Sequence, residues 1–400
     1  MRLYNLIKRN IQRPITKFWY SWYRRDVDTW VFGEWFGERC NDNCMFFVNY
    51  VSENYPQKHI YWIAKEATDT SLLNVRVKRV LMDSVQAIEV LKKAGAVFFV
   101  QSHDDVTSKD SIYYSGALTV NLWHGIPWKK IGFDVPMGRL EKIYLKFNSK
   151  MYDGRVYVSA SDRVTESFRS AFDCDVSDVI KAGSPRNSVL YDNEYSSISR
   201  KRIVRELQRR GIEVNNDTLF IVYMPTFRDK NAEVFSFSKY CDIKALDSML
   251  SRHNAVILEK MHYVTIKRNE EGKLREQCNR IINIGEFSAM MALSIADMLV
   301  TDYSSCFFDY LLTDRPVVHY LYDYDYYANS DRGVYYDKED VVCGDIVEDE
   351  DQLLDVIEYN LLNPRKHETL RQQRRREFLQ YEDKLSCERI YKYVCERIEK

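Results

Sequence analysis

The chain has 400 residues, of which 45% are hydrophobic and 29% are charged, a composition that excludes fibrous and disordered proteins. This length favours two domains of roughly 150–200 residues each over a single core. The formal net charge of -1 gives no overall attraction to nucleic acid, so any electrostatic function must be local.

Residues 1–25 form a basic and aromatic segment that contains no acid. It lacks the apolar length of a spanning helix and the apolar core and cleavage site of a signal peptide. Cations attract anionic headgroups and tryptophan favours the membrane interface, so the segment predicts peripheral attachment to the cytoplasmic face of a membrane. A basic helix packed on its own domain is the alternative, while nucleic-acid binding has no second basic–aromatic region in support. The cations are Arg2, Lys8, Arg9, Arg13, Lys17, Arg24 and Arg25.

Short apolar runs then alternate with amphipathic ones, which predicts α/β domains with parallel sheets and helices on both faces. A polar stretch, 191–217, separates two sets of strands, so we expect domains at 26–200 and 201–347 and a charged helical segment at 348–400. The predicted strands are 59–64, 96–101, 118–123, 155–159, 179–182, 219–224, 255–260, 281–284, 298–301 and 316–320. The predicted helices are 84–93, 162–171, 203–210, 243–252 and 305–312.

The first candidate for chemistry is His124, which ends a predicted strand in NLWHGIPWKKIGFD. Gly125 permits an unusual turn, and Lys129 and Lys130 bring positive charge within reach. A histidine at the carboxyl end of a strand, with cations after it, suits a general base beside phosphate.

His262 repeats this pattern in the second half of the chain, in VILEKMHYV, beside Lys260. One strand-end histidine from each domain predicts that the two converge on one cleft. Among the other histidines, His319 lies inside the apolar run PVVHYLY and is expected to pack in the core.

The third candidate is the segment TDYSSCFFDY, where a strand ends at Thr301 and Asp302 and a helix follows Ser304 and Ser305. A serine there is expected to cap the helix. The same geometry aims amides and hydroxyls at an anion, which predicts a phosphate-binding turn. The chain has no P-loop and no GxGxxG, which excludes a Walker-type ATPase and a standard dinucleotide enzyme.

A DxD pattern occurs at Asp323 and Asp325. No histidine or glutamate ligand accompanies it, so we expect no bound metal and an activity that survives EDTA.

Taken together, the motifs resemble the CDP-glycerol glycerophosphotransferase family, the primases and polymerases of teichoic acids and related capsule polymers. Six segments match in the family's order, and the upstream block VFGEWFGERCNDN is also similar. The six are WHGIPWKKIGFD (123–134), GSPRN (183–187), YMPTFRD (223–229), EKMH (259–262), TDYSSCFFDY (301–310) and RGVYYD (332–337). The sequence departs from the family at Tyr263, where proline is usual, and at 126–128, where Ile-Pro-Trp replaces Thr-Pro-Leu.

The resemblance implies a GT-B-like fold, in which two Rossmann-like domains face a cleft. It also implies CDP-glycerol or CDP-ribitol as donor and CMP as product, and we expect no cofactor. By the family's pattern, His124 and His262 are the essential histidines. The donor diphosphate is expected at Ser304, Ser305, Arg332, Lys260, Thr301 and Asp302, in the domain 201–347. The acceptor side is expected at Gly125, Lys129, Lys130 and Arg186, in the domain 26–200.

We therefore expect transfer of glycerol or ribitol phosphate to a hydroxyl of a lipid-linked or polymer acceptor, in the synthesis of teichoic acid or a capsule-like polymer. One alternative is a sugar-nucleotide glycosyltransferase of the same fold. The other is an inactive membrane scaffold for polymer export, against which the presence of both His124 and His262 counts. The choice of polyol, and that between primase and polymerase, stay open.

Overall fold

A computed structural model describes residues 18–20, 22–109, 111–143, 155–226, 234–261, 278–325 and 333–399. The strands are β1 Asp26–Phe32, β2 His59–Ala64, β3 Lys78–Leu81, β4 Ala94–Phe99, β5 Leu118–Asn121, β6 Arg155–Ser159, β7 Val179–Lys181, β8 Leu219–Met224, β9 Ala255–Glu259, β10 Ile281–Asn283, β11 Met298–Thr301, β12 Val317–Tyr320 and β13 Asp345–Val347. The α-helices are α1 Asn43–Asn54, α2 Val85–Lys93, α3 Asp162–Phe172, α4 Asn193–Arg209, α5 Phe237–Tyr240, α6 Ile243–Arg252, α7 Ala289–Ile295, α8 Cys306–Tyr310, α9 Lys338–Val341, α10 Glu350–Leu362, α11 Glu368–Phe378 and α12 Ser386–Ile398.

The strands form two parallel sheets, which confirms the predicted pair of doubly wound domains. The first sheet has the order β3-β2-β1-β4-β5-β6-β7, and the second has the order β10-β9-β8-β11-β12-β13. In each sheet the strand order reverses beside its first strand, between β1 and β4 and between β8 and β11. Ligands of such sheets bind at this switch point, outside the carboxyl ends of the strands.

The chain divides into two compact units, and the division differs from the predicted one. The first unit comprises 1–124, 131–188 and 380–400, and the second comprises 125–130 and 189–379. Helix α4 spans the region where we had placed the boundary, and it lies entirely in the second unit. The Ser196 hydroxyl of α4 donates to the Ser294 carbonyl of α7 at 2.8 Å. The predicted C-terminal segment is therefore shared, with α10 and α11 in the second unit and α12 in the first.

Aromatic side chains fill the core of the first unit on one face of its sheet. Trp30, Phe32, Phe47 and Phe98 are completely buried, and the Phe32 and Phe98 rings stack with centroids 4.4 Å apart. Helix α12 packs into this cluster through side chains such as Ile390. This apolar contact explains why the end of the chain belongs to the first unit.

Strands β1, β3 and β13 were not predicted, although β1 pairs with both β2 and β4 in the first sheet. The acidic residues Asp26 and Asp28 interrupt the apolar pattern of β1, so only its second half reads as a strand. Strand β3 lies at the sheet edge with three of its four residues exposed, and β13 has only three residues.

Candidate active site

At the switch point of the first sheet, the chain leaves β1 through three consecutive left-handed residues, Trp35, Phe36 and Gly37, with φ of 49°, 58° and 71°. This conformation is strained for the two aromatic residues and needs support from its surroundings. The buried carboxylate of Asp105 supplies part of it, accepting from the Phe36 amide at 2.8 Å and from the Val100 amide at 3.0 Å. Burial raises the pKa of Asp105 to about 6. One carboxyl group thus joins the ends of β1 and β4.

His124 lies at this same edge, after β5, as predicted. Its ring is half-buried against the indoles of Trp123, with ring centroids 4.6 Å apart, and Trp35, 5.5 Å apart. Its Nδ1 lies 3.0 Å from the Val100 carbonyl oxygen. A carbonyl only accepts hydrogen bonds, so Nδ1 carries the proton and Nε2 is the basic nitrogen.

The surroundings of His124 keep its imidazole neutral near pH 7. Burial lowers the pKa of His124 below its ordinary value, and the positive charge of Arg186 acts in the same direction. The Val100 hydrogen bond and the negative charge of Asp42 oppose this shift without cancelling it. A neutral imidazole with a defined tautomer is the form that a general base requires.

Arg186, predicted on the acceptor side, lies in the first unit and is held by residues that the sequence analysis did not single out. Its guanidinium Nη1 forms a largely buried ion pair with Asp42 at 2.7 Å, and its amide donates to the Asn43 side-chain oxygen at 3.0 Å. The Asn43 side-chain amide donates in turn to the Trp123 carbonyl at 2.8 Å. Asp42 and Asn43 belong to the block VFGEWFGERCNDN, whose similarity to the family was the available signal.

Residues 125–130, directly after His124, belong to the second unit, whereas we had placed Gly125, Lys129 and Lys130 in the first domain. The side chain of Trp128 holds residues 125–130 on the second unit. Its indole is 2% exposed and donates to the Tyr336 carbonyl at 2.8 Å. The main chain also pairs with the RGVYYD motif, since the Lys130 amide donates to the Gly333 carbonyl at 3.0 Å. Two predicted motifs are thereby joined within the second unit.

At the switch point of the second sheet, Thr301 and Asp302 tie the end of β11 to the end of β8. The Thr301 hydroxyl donates to the Met224 carbonyl at 2.6 Å, and Asp302 accepts from the Thr226 amide at 2.7 Å. Both residues are completely buried. Their role in the structure is to shape the turn that follows.

Ser304 and Ser305 are half-buried in that turn, immediately before α8. The expectation that a serine caps this helix was wrong, because the Ser305 side chain makes no capping hydrogen bond. The physical reason is its backbone, which is already helical with φ -62° and ψ -9°, whereas a capping serine is extended. The Ser305 hydroxyl is therefore not committed to the helix amides.

Only some of the other residues predicted on the donor side lie in the described part of the chain. The Lys260 ammonium donates to the Gly285 carbonyl at 3.0 Å. His262 and Arg332 lie outside the described residues, so their roles stay predictions. Within the DxD pattern, Asp323 accepts from the Tyr303 hydroxyl at 2.8 Å, which links the pattern to the serine turn. Across the described parts of the chain, no group of three histidine, cysteine or acidic side chains is placed to hold a metal ion.

His319 is completely buried, which confirms its predicted place in the core. Its Nε2 accepts from the Cys343 amide at 3.2 Å, and burial lowers its pKa to about 3. It is a neutral structural side chain.

Comparison with known proteins agrees with this geometry. Residues 18–396 match the sequence model of a family described as CDP-Glycerol:Poly(glycerophosphate) glycerophosphotransferase. A teichoic acid glycerol-phosphate transferase of Staphylococcus aureus is 28% identical over 342 residues, 82% of either chain. A teichoic acid poly(glycerol phosphate) polymerase of Bacillus spizizenii is 30% identical over 247 residues, only 60% of either chain. A structure of the wall teichoic acid polymerase TagF shares the fold, with a TM-score of 0.78 at 22% identity over 98% of this chain and 96% of that one.

Proposed function

The chain belongs to the CDP-glycerol:poly(glycerophosphate) glycerophosphotransferase family, and we propose that it transfers glycerol phosphate from CDP-glycerol to an acceptor hydroxyl. The observation that supports this best is His124, a neutral imidazole whose Nδ1 is bound to a carbonyl at a switch point. That arrangement leaves Nε2 to accept a proton. Ribitol phosphate from CDP-ribitol is the second donor that the family resemblance permits.

In the proposed reaction, an acceptor hydroxyl attacks the β-phosphorus of the donor. Nε2 of His124 takes the hydroxyl proton as the new phosphorus–oxygen bond forms, a contribution of about 10²–10⁴-fold. The bond from the β-phosphorus to the bridging oxygen breaks, and CMP leaves with the electron pair. Phosphoryl transfer depends mainly on positioning and charge stabilisation, so the surrounding groups must hold the donor and neutralise CMP.

We assign the donor diphosphate to the turn at Ser304 and Ser305. The two half-buried hydroxyls follow the carboxyl end of β11, beside the switch point of the second sheet, and that of Ser305 is not used as a helix cap. His262 and Arg332 are the expected sources of positive charge, as the family resemblance implies. The acceptor is proposed to be a lipid-linked saccharide or a growing polymer.

The choice of donor tests this function. Release of CMP from CDP-glycerol or CDP-ribitol should be rapid in the presence of a lipid-linked acceptor, and release of UDP from a UDP-sugar should be absent. We expect the rate to persist in EDTA, because histidine, arginine and a hydroxyl-lined turn are assigned to the developing charge. Release from UDP-sugars alone would favour a glycosyltransferase. Loss of activity in EDTA that Mg²⁺ restores would return Asp323 and Asp325 to the site.

Membrane attachment is a further part of the proposal, and the structure locates only the end of the basic segment. Phe18, Trp19 and Trp22 have 60%, 69% and 75% of their surface exposed. Arg25, by contrast, is unavailable to lipid, because its guanidinium donates to the Leu91 and Lys92 carbonyls at the end of α2, at 3.0 and 2.6 Å. Burial lowers the pKa of Arg25 to about 10. Arg25 therefore anchors an exposed aromatic cluster on the first unit.

We expect the double variant Trp19→Ser, Trp22→Ser to bind anionic vesicles at least about tenfold more weakly than the unaltered protein. Burying one large apolar side chain is worth about 1.5–3 kcal/mol, and tenfold corresponds to about 1.4 kcal/mol. Vesicle sedimentation measures this, with the exposed Tyr359→Ala of α10 as the control. Equal sedimentation of the double variant would place the membrane contact elsewhere.

A further inference from the structure

The carboxylate of Asp42 lies at the centre of a polar network beside His124. Its Oδ1 accepts from Arg186 Nη1 at 2.7 Å, and its Oδ2 accepts from the Trp35 indole Nε1 at 2.8 Å. The exposed fractions of the Arg186 and Asp42 side chains are only 11% and 7%. The indole that Asp42 holds is one of the two rings against which His124 rests.

A second carboxyl group, Glu34, is completely buried next to Asp42 and accepts from the Asp42 amide at 2.9 Å. Burial and the negative charge of Asp42 raise the pKa of Glu34 well above its ordinary value. Burial alone would raise the pKa of Asp42 as well, but the cation of Arg186 brings it below the ordinary value. The two shifts therefore favour the acid form of Glu34 and the carboxylate form of Asp42.

We infer that Asp42 is a positioning residue for the base: it fixes the Trp35 indole beside His124 and provides the negative charge that stabilises the imidazolium formed during transfer. This inference rests on the proposed function, in which His124 takes the acceptor proton. The Nδ1 proton of His124 is bound to Val100, so Asp42 acts through space and through Trp35. Fixed charges at a site from which water is largely excluded stabilise a developing charge more strongly than they would in water.

Any test must separate the effect of Asp42 on the pKa of His124 from the effects of the other charged groups that face this imidazole. Arg186 opposes protonation of the imidazole. Asp105 binds the Val100 amide and itself titrates at about 6, so it would contribute to a pH–rate profile. An NMR titration of histidine-labelled protein avoids this ambiguity, because the His124 resonance reports the pKa of His124 alone. This resonance is identified among those of the seven histidines by its loss in His124→Asn.

The test compares Asp42→Asn with Glu34→Gln. Asn has the size of Asp but lacks the charge and leaves Arg186 unopposed, and both changes disfavour the imidazolium. We expect kcat to fall about 10–100-fold with KM changed less than about threefold, and the pKa of His124 to fall. Glutamine is uncharged, like the acid form of Glu34. In Glu34→Gln, kcat and the pKa of His124 should therefore stay close to those of the unaltered protein.

A His124 pKa that does not respond to Asp42→Asn would overturn the inference, even if kcat fell, because Asp42 would then have a structural role only. If Asp42→Asn fails to fold, the double variant Asp42→Asn, Arg186→Gln replaces it, because it leaves neither charge buried alone. Asp42 affects the pKa of His124 more strongly than Arg186 does, so that pKa must still fall. A constant or higher value would again contradict the inference. Full activity in folded His124→Ala would instead refute the proposed base, which distinguishes the two failures.

Discussion

Replacing His124 with alanine is expected to lower kcat for CMP release by at least about 10²-fold, since a positioned general base contributes about 10²–10⁴-fold. Alanine has no nitrogen that could take the acceptor proton. The variant should fold, because the His124 ring is only half-buried at the end of a strand. Steady-state rates with saturating CDP-glycerol measure the effect. His262→Ala is expected to show a loss of similar size.

The matched control is His59→Ala, because His59 lies on the surface, where Asp26 faces it at 3.5 Å and 60% of its side chain is exposed. Its rate should remain within about threefold of that of the unaltered protein. The pH dependence gives a second check with a defined sign when it is compared with the NMR titration of His124, because Asp105 also contributes to the rate profile. The base acts when neutral, so activity falls as the pH drops through the pKa of His124. Burial lowers that pKa, so the acidic limb should lie below the range of an ordinary histidine. A folded His124→Ala with a normal rate would exclude His124 as the base.

Replacing Trp128 with alanine is expected to reduce the free energy of unfolding of the second unit by about 3–5 kcal/mol, as for other buried tryptophans. The indole packs against the rings of Tyr303 and Phe307, with both centroid distances 5.9 Å. Its loss also leaves the Tyr336 carbonyl without this donor. Because Tyr303 and Phe307 lie on either side of the serine turn, binding of CDP-glycerol should weaken as well.

Two control variants with smaller expected effects are compared with Trp128→Ala in urea unfolding monitored by fluorescence. Trp128→Phe keeps a ring but loses the indole N–H, and should reduce stability by about 1–2 kcal/mol. Trp22→Ala removes a tryptophan with 75% of its surface exposed, and should change stability by less than about 0.5 kcal/mol. If Trp128→Ala were as stable as Trp22→Ala, residues 125–130 would not be fixed in the second unit through this side chain.

The sheets could be predicted because buried parallel strands are apolar runs, and four strands (59–64, 155–159, 219–224 and 298–301) have the bounds expected from the sequence. The site was predictable only where one motif carries it. The positions of His124 after β5 and of the serine turn before α8 followed from local motifs, whereas their roles stay predictions. The ion pair of Arg186 joins residues 144 apart, and the contact between Trp128 and Tyr336 joins residues 208 apart. No local pattern shows which residue an arginine or an indole will meet across such separations.

Local backbone conformation was the other feature that could not be predicted from the sequence. The left-handed turn at Trp35 and Phe36 uses residues that rarely adopt positive φ, so composition gave no sign of it. The capping role expected for serine before α8 depended on an extended backbone, whereas Ser305 is helical. Arg25 was counted among the cations available to lipid, but its position after Trp22 and Tyr23 directs it to the carbonyls that end α2.

Transfer of polyol phosphate is tested most directly by the mass of the acceptor. Purified protein is incubated with CDP-glycerol and a lipid-linked saccharide, and the acceptor mass and the CMP formed are measured together. We expect the acceptor to gain whole glycerol-phosphate units, with one CMP released for each unit and no gain with His124→Ala. An unchanged acceptor, or CMP formed together with free glycerol phosphate in place of acceptor growth, would contradict the proposed transfer.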